Sequence, residues 1–212
     1  TKQGRMSSSK SIFGYGGNMQ NQPPEMKEAM IADDGCVLVE IDLGQAENRV
    51  VAYAANELQM ISAFENGEDI HRKTAGLVFG KDPADISDEK GSSDIGGGAY
   101  SERFWGKKTN HGLNYDLGYK AFSLLYEIAE SEGKKIVSAY HAAYPSVRRW
   151  HDKIKKQLGQ NRTLTNCQPF GRRREFRDRW SDELFKAAYS FIPQSTVADI
   201  IRSWGICYVY YT

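Results

Sequence analysis

The chain has 212 residues, a net charge of +1 and three widely spaced cysteines, which together exclude several classes of protein. Its 40% hydrophobic and 26% charged residues are typical of a globular domain. Because the net charge is close to zero, any affinity for nucleic acid must come from local clusters of basic residues rather than from the overall charge. Cys36, Cys167 and Cys207 show no metal-ligand spacing, which favours a reducing compartment over a disulfide framework. No apolar run approaches the ~20 residues of a membrane span, and the polar N-terminus lacks a signal-peptide core. We therefore expect a soluble cytoplasmic protein.

The first half of the chain predicts one strand and then three helices. The strand covers residues 36–43, CVLVEIDL, where alternate positions are apolar and a carboxylate stands near the C-terminal end. The helices follow at 45–64, at 69–80 with its end at Gly80, and at 101–118 with Ser101 as the N-cap. Residues 81–100 are acidic and rich in glycine, so they predict a mobile loop.

The second half predicts more helix and one hairpin. The predicted helices cover 119–133, 134–144 and 146–159. Residues 163–176 predict a hairpin that turns near Gly171, and the tail predicts a helix interrupted at Pro193. A little strand near each end, with a helical block between, indicates an α+β fold.

One predicted helix carries an unusual row of side chains. Arg103, Lys107, His111 and Tyr115 recur every fourth residue and would share one face of the helix at 101–118. A cation in a first turn opposes the helix dipole by about 0.3–1 kcal/mol, and each interior glycine costs about 1 kcal/mol relative to alanine. A polyphosphate would reverse the sign for Arg103, because arginine binds phosphate through two parallel hydrogen bonds. From the spacing alone, a solvated basic face remains the alternative.

The segment EIDLGQAENR, residues 40–49, contains a carboxylate where the predicted strand ends. Asp42 could hold Mg²⁺, which prefers oxygen ligands and keeps waters for substrate phosphates; an N-cap on the next helix is the alternative. One carboxylate does not make a two-metal site, which usually needs a second. His71, near a helix start, and the arginine-rich segment 171–179 are ambiguous on their own.

In order along the chain, these segments resemble the polymerase domain of family A DNA polymerases, the bacterial DNA polymerase I family with its phage relatives. DLGQAENR is similar to motif A of that family, Asp-x-x-Gln-x-Glu-x-Arg, through Asp42, Gln45, Glu47 and Arg49. RFWGKKTNHGLNYDLG is similar to motif B, Arg-x₃-Lys-x₃-aromatic-x₃-Tyr, which lies on the fingers helix. GRMSSS, GNMQNQP, DIHRKTAGLVFG, FGRRREF and FIPQSTVADII match further blocks in the right order, so the resemblance covers nearly the whole chain.

The resemblance implies template-directed transfer of a dNMP from a dNTP to a primer 3′-hydroxyl, with two Mg²⁺ ions and with primer–template DNA as partner. The implied catalytic residues are Asp42 and Lys107, and the implied metal ligands are Asp42 and the carbonyl of Leu43. The implied nucleotide-binding residues are Arg103, Lys107, His71, His111, Tyr115, Gln45 and Glu47, with Glu47 as the steric gate against a ribose 2′-hydroxyl. The residues implied to face DNA are Arg5, Asn18, Asn21, Lys186 and Gln194.

The resemblance also divides the chain into a palm part with motif A (1–50), the fingers (51–165) and a return to the palm (166–212). His111 departs from the family pattern, which usually has phenylalanine or tyrosine there. The His-Asp-Glu motif C, which supplies the second catalytic carboxylate, does not occur, and the thumb and exonuclease domains are missing. We therefore expect a fragment of a replication or repair polymerase that is inactive by itself.

Two other functions remain open on the sequence. A single-subunit RNA polymerase shares the helix with arginine, lysine and tyrosine, although Glu47 argues against it. A non-catalytic nucleic-acid-binding module would keep the fold without the chemistry. A polymerase of this kind is expected in the cytoplasm of a bacterium or of a phage-infected host, with replication accessory proteins as further partners.

Overall fold

The computed structural model describes residues 3–5, 22–40 and 42–206, and most of these lie in helices. In chain order the helices are α1 (Pro24–Lys27), α2 (Ala46–Ala55), α3 (Leu58–Glu65), α4 (Ile70–Phe79), α5 (Glu102–Leu113), α6 (Tyr119–Tyr126), α7 (Glu130–Ala143), α8 (Pro145–Asn161) and α9 (Asp182–Ile200), which continues as a π-helical segment (Ile201–Ile206). The strands are β1 (Thr163–Thr165) and β2 (Arg173–Glu175), which pair antiparallel. The predicted hairpin and the predicted α+β class are confirmed.

Local signals define three helix ends, of which the end of α4 at Gly80 and the start of α5 at Ser101 agree with the prediction. The Asp69 carboxylate accepts hydrogen bonds from the N–H groups of His71 (2.8 Å) and Arg72 (3.4 Å), so it caps α4, which ends at a left-handed Gly80. The Ser101 hydroxyl accepts a hydrogen bond of 3.1 Å from the N–H of Phe104 and caps α5, as predicted. These caps satisfy donors that a helix start leaves without an intrahelical partner.

Two hydrophobic clusters hold the helices together. Large side chains buried in the main cluster are Tyr140, Tyr144, Tyr189, Phe176, Phe191, Met60, Ile70, Leu113 and Leu158. A smaller cluster of Trp105, Phe122 and Ile136 joins α5, α6 and α7. Burying one such side chain stabilises the fold by about 1.5–3 kcal/mol, so these contacts fix the relative positions of the helices.

A glycine inside α5 permits the close packing of α4 against α5. A Cβ atom at Gly106 would lie 2.0 Å from the carbonyl oxygen of His71 and 2.8 Å from the backbone nitrogen of Ala75. The same helix pair is joined by a buried hydrogen bond of 3.0 Å from the Thr74 hydroxyl to the Asn110 Oδ1. The glycine that weakens α5 as an isolated helix is therefore required by its tertiary contact.

The strand predicted over 36–43 is wrong for the described part of that segment, 36–40 and 42–43, which has irregular backbone. Val37 and Val39 are 83% and 57% exposed, and among the described residues no strand pairs with this segment. An extended segment becomes a stable strand only when a neighbour satisfies its backbone groups and covers one face. The segment has the alternating apolar side chains of a strand, but no neighbouring strand among the described residues pairs with it.

The helix predicted over 45–64 is two helices, α2 and α3, separated by two residues. Asn56 takes a left-handed conformation (φ 51°) and ends α2. Glu57 begins α3, where its carboxylate accepts a hydrogen bond of 3.4 Å from the N–H of Gln59. The other oxygen of Glu57 accepts a buried hydrogen bond of 2.8 Å from the N–H of Ser146 at the start of α8. This long-range contact turns the chain, and no local signal predicts it.

The helix predicted over 119–133 also divides, because Glu127 is left-handed (φ 53°) and ends α6.

The opposite error occurs at Pro193, where the predicted interruption is wrong and α9 runs through the proline. Pro193 is buried, and so are Tyr189 and Phe191 on the preceding turn. An interior proline costs ~3 kcal/mol, and burial of this length of apolar helix offsets it. No helix in the described ranges is long and apolar enough to cross a membrane.

The acidic connection between α4 and α5 packs onto the protein through specific contacts. It contains two 3₁₀ turns, Pro83–Asp85 and Ile95–Gly98. Ile86 and Ser93 are each only 2% exposed, so two points of the connection are buried against the helices. The sequence composition predicts the irregular backbone and misses these anchors.

Candidate active site

The first turns of α4 and α5 form one wall of the candidate site. Arg103, in the first turn of α5, donates a hydrogen bond of 2.7 Å from Nε to the Asp69 Oδ2. Partial burial would raise the pKa of Asp69, but the hydrogen bonds from Arg103 and from the N–H groups of α4 lower it below its usual range. Asp69 is therefore ionised, caps α4 and holds the Arg103 guanidinium in one orientation.

His71 lies behind this wall and is neutral at pH 7. Burial lowers its pKa to about 4, and the nearby cations Arg103 and Lys107 add to that effect against the opposing charge of Asp69. The Asn110 amide Nδ2, which is only a donor, lies 3.2 Å from the His71 Nδ1. Nδ1 therefore accepts, and the ring proton resides on Nε2. His71 contributes a directed N–H donor rather than a charge.

Lys107 and His111 continue the same face of α5, as the spacing predicts. Both side chains are exposed, and among the described residues Lys107 has no ion-pair partner. The His111 ring meets the Tyr115 ring edge to face, with centroids 5.6 Å apart. Arg103, Lys107 and His111 thus form a row along one side of α5. The helix predicted over 101–118 is too long, because α5 ends at Leu113 and Tyr115 lies in the turn that follows.

Tyr115 forms the second wall by joining three distant parts of the chain. Its hydroxyl donates a hydrogen bond to the Glu47 Oε2 on α2, and the side chain of Gln194 on α9 lies beside the same hydroxyl. The Arg5 guanidinium lies 3.7 Å from the other oxygen of Glu47. Burial and the Glu47 charge both raise the pKa of Tyr115, so the phenol stays protonated and remains a donor.

Gln45 connects the two walls. It stands immediately before α2 in a left-handed conformation (φ 56°, ψ 27°), which aims its side chain toward the start of α4. Its Nε2 donates a hydrogen bond of 3.3 Å to the Asp69 Oδ1, while Asp69 holds Arg103 through its other oxygen. The Gln45 Oε1 is buried and has no hydrogen-bond partner within the described ranges. Gln45 therefore joins the segment that follows Asp42 to Asp69, the residue that holds Arg103.

Asp42 and Leu43 offer the kind of oxygen atoms that Mg²⁺ prefers. The Asp42 side chain is exposed, and the Leu43 carbonyl accepts a long hydrogen bond of 3.4 Å from the N–H of Ala46. The described residues contain no group of three or more His, Cys, Asp or Glu side chains that could hold a metal ion. The two residues thus fit one edge of a magnesium site and do not form a complete one.

The residues predicted to face DNA fall into two places. Arg5 and Gln194 lie beside Tyr115 and Glu47, as described above. Lys186 lies instead on a cavity of about 630 Å³ between α6, α8 and α9, which it shares with Lys120 and Lys155. Asn18 and Asn21 lie outside the described residues.

Two residues of the site have roles that the sequence motifs do not predict. Asp69 is recognisable as a helix cap from its place before α4, but its bonds to Gln45 and Arg103 depend on tertiary contacts. Asn110 is fully buried between α4 and α5, where it bonds to Thr74 and fixes the His71 tautomer. Its position on the inner face of α5, beside Trp105, Gly106 and Leu113, is the local signal for burial.

Comparison with known proteins decides the family. The family model described as DNA polymerase family A matches residues 1–208. The chain belongs to this family. DNA polymerase I of Aquifex aeolicus is 29% identical over 205 residues, which cover 94% of this chain and 32% of that protein. DNA polymerase I of Deinococcus radiodurans is 31% identical over 198 residues, or 87% of this chain and 19% of that protein.

A solved structure supports the fold of this family A chain. The polymerase domain of Pol1 from M. smegmatis, solved with a DNA primer-template and a dNTP, aligns with a TM-score of 0.75 and 24% identity. The alignment covers 95% of this chain and 34% of that one. This chain spans about a third or less of the length of these relatives. The predicted family is confirmed, and the phage-like subtype stays a prediction.

Proposed function

We propose that this family A chain is the palm and fingers part of a DNA-directed DNA polymerase, which transfers a dNMP from a dNTP to a primer 3′-hydroxyl. The observation that carries the proposal is the cationic face of α5 beside the Asp69 cap of α4. Arg103 is held by Asp69 through Nε at 2.7 Å, which leaves the Nη edge of the guanidinium for a phosphate. Lys107 extends the positive charge by one turn, and His71 adds a neutral N–H donor.

The Glu47–Tyr115 pair suits a deoxyribose better than a ribose. The Tyr115 hydroxyl bonds to Glu47, so both side chains are held together at the side of the site nearest Gln45. A ribose 2′-hydroxyl placed against this pair would meet a carboxylate that already has a donor, and would displace a partly buried contact. A hydroxyl that loses its partners on burial is disfavoured by about 1–3 kcal/mol. Glu47 would therefore act as the steric gate.

Magnesium would be held by the Asp42 carboxylate and the Leu43 carbonyl, next to the triphosphate held by α5. The metal would lower the pKa of the primer hydroxyl and neutralise phosphate charge. A two-metal arrangement needs a second carboxylate, which we propose other parts of the polymerase supply. For this reason we expect this chain alone to bind nucleotides but to show little or no primer extension.

DNA would lie against the wall formed by Tyr115. In this proposal Tyr115 contacts the templating position, His111 stacks near the base and sugar, and Arg5 and Gln194 face the terminal base pair. The boundaries follow as palm for 1–50, fingers for 51–165 and palm again for 166–212. Such a polymerase would work in the cytoplasm of a bacterium or of a phage-infected host.

The test is a comparison of two adjacent lysines. Lys107 is exposed on the proposed phosphate face, whereas Lys108 lies over the rings of Phe104 and Tyr126 on another face of α5. Binding of a fluorescent dNTP to the chain with primer–template DNA and Mg²⁺ should weaken about 10- to 100-fold in Lys107→Ala, the size of a hydrogen bond to a charged group. Lys108→Ala should bind as the unmodified chain does.

Three other results would change the assignment. Equal losses in Lys107→Ala and Lys108→Ala would show a general charge effect and remove the triphosphate site. A preference for rNTP over dNTP that does not depend on Glu47 would favour an RNA polymerase. DNA binding without any measurable nucleotide affinity would favour a non-catalytic nucleic-acid-binding module.

A further inference from the structure

The acidic connection of residues 81–101 is fastened over the first turn of α5. The Ser87 carbonyl accepts a hydrogen bond of 3.1 Å from the backbone N–H of Arg103, and the Ser87 N–H donates one of 3.0 Å to the buried Glu102 carboxylate. The neighbouring Ile86 is 2% exposed, and its carbonyl accepts a hydrogen bond from Arg72. The backbone next to residue 88 is therefore fixed from both α4 and α5.

This backbone puts the Asp88 carboxylate between two arginines. One oxygen pairs with Arg72, and the other lies 3.7 Å from the Arg103 Nε. A separation of 3.7 Å is an ion pair rather than a hydrogen bond, so Asp88 acts on Arg103 through its charge. Asp69 already bonds to the same Nε at 2.7 Å, so Asp88 is not needed to orient the guanidinium.

We propose that Asp88 is a built-in competitor for the phosphates that Arg103 binds, and that it sets how tightly this site holds a triphosphate. The inference rests on the proposed function, because it assumes that Arg103 is a phosphate ligand. A bound triphosphate adds negative charge where Asp88 already supplies some, and the two repel. As phosphates leave, Asp88 again neutralises Arg103.

Lys107 makes the contrast clear. It stands one turn further along the same face, and within the described ranges it has no acidic partner, whereas Arg103 has two. The side chain of Asp88 is 54% exposed, so solvent and salt reduce its influence to a few-fold effect. Asp88 therefore adjusts the affinity of the site and does not block it.

The experiment is calorimetric titration of the 212-residue chain with inorganic tripolyphosphate. Asp88→Asn should lower the Kd about two- to fivefold, the range of an exposed ion pair. Glu89→Gln is the matched control, because it removes the same charge from the next residue of the connection, which has no ion pair with Arg72 or Arg103. The advantage of Asp88→Asn should vanish at about 1 M salt, where charges are screened beyond roughly 3 Å.

Arg103→Ala separates failure of this inference from failure of the proposed function. If Arg103→Ala weakens tripolyphosphate binding but Asp88→Asn and Glu89→Gln behave alike, the competitor role is wrong and the phosphate site stands. If Arg103→Ala leaves binding unchanged, the phosphate site is wrong and the role of Asp88 falls with it. Thermal unfolding of each variant checks that the connection stays folded, and Asp88→Asn must keep the midpoint of the unmodified chain to count.

Discussion

The substitution Gly106→Ala should destabilise the chain although alanine is the better helix former. The new Cβ would lie 2.0 Å from the His71 carbonyl oxygen, and ordinary contact begins at 3.4 Å, so the two helices must separate locally by 1.4 Å (3.4 − 2.0). The backbone nitrogen of Ala75, on the same face of α4, would also be too close, at 2.8 Å. Neither neighbour is a flexible side chain that can swing away.

The magnitude follows from two opposing terms. Overpacking a well-packed contact costs about 1–3 kcal/mol, with the upper end expected here because backbone atoms clash. Alanine returns up to about 1 kcal/mol of helix propensity. The expected net loss is about 2 kcal/mol in the free energy of unfolding, or roughly 4–8 °C in Tm for a chain of this size.

Gly159→Ala in α8 is the matched control. No atom outside its own helix backbone lies within 4 Å of a Cβ built at Gly159, so the propensity gain should appear alone. We expect a stabilisation of about 0.5–1 kcal/mol. Urea denaturation followed by circular dichroism measures both variants. If both alanine variants shift stability in the same direction, the close approach of α4 to α5 does not explain the glycine in α5.

Further predictions concern buried polar groups. The pKa of His71 is about 4 in the folded chain and about 6.5 in the unfolded chain, so the unfolded state binds more protons between these pH values. The free energy of unfolding should therefore fall by about 3 kcal/mol as the pH drops from 6.5 to 4. Denaturation at several pH values should show a smaller pH dependence in His71→Gln. Glu57→Ala leaves the buried Ser146 N–H without its acceptor and should cost about 1–3 kcal/mol in the same assay, whereas an unchanged midpoint would contradict the anchor. Asp69→Asn keeps a good helix cap but removes the negative charge beside Arg103. It should therefore change Tm by less than about 2 °C while altering the affinity for tripolyphosphate. A large loss of stability would mean that the charge of Asp69, and not its capping hydrogen bonds, holds α4.

Helix ends that depend on local chemistry are predictable from this sequence. Ser101 begins α5 because its hydroxyl can cap a helix N-terminus, and Gly80 ends α4 because glycine readily takes a left-handed conformation. Asn56 and Glu127 also take left-handed conformations, but nothing local requires it. At Glu57 the bond to the Ser146 N–H, 89 residues away, shows that tertiary contact sets the break between α2 and α3. Such a contact is invisible to a window of neighbouring residues.

In the candidate site, too, some features follow from the local sequence and others depend on tertiary contacts. The row of Arg103, Lys107 and His111 follows from helical spacing, and all three lie on α5, whereas Tyr115 lies in the turn after Leu113. The partners of that row come from other elements: Asp69 from α4, Glu47 from α2 and Gln194 from α9. Spacing predicts which side chains share a face, but not which carboxylates meet them, because those contacts depend on how the helices pack.

The carboxylates of the site explain why a reluctant helix is stable before any ligand binds. The cation Arg103 opposes the dipole of α5, and Asp69 and Asp88 supply the negative charge that offsets it in the free chain. Gly106 lowers the intrinsic stability of the same helix, and the contact with His71 and Ala75 uses the space that a side chain would fill. Both unfavourable features of the sequence therefore serve the contact between α4 and α5, which holds Arg103 against Asp69. A nucleotide that binds here would meet donors already in position and would need to displace only one exposed acid.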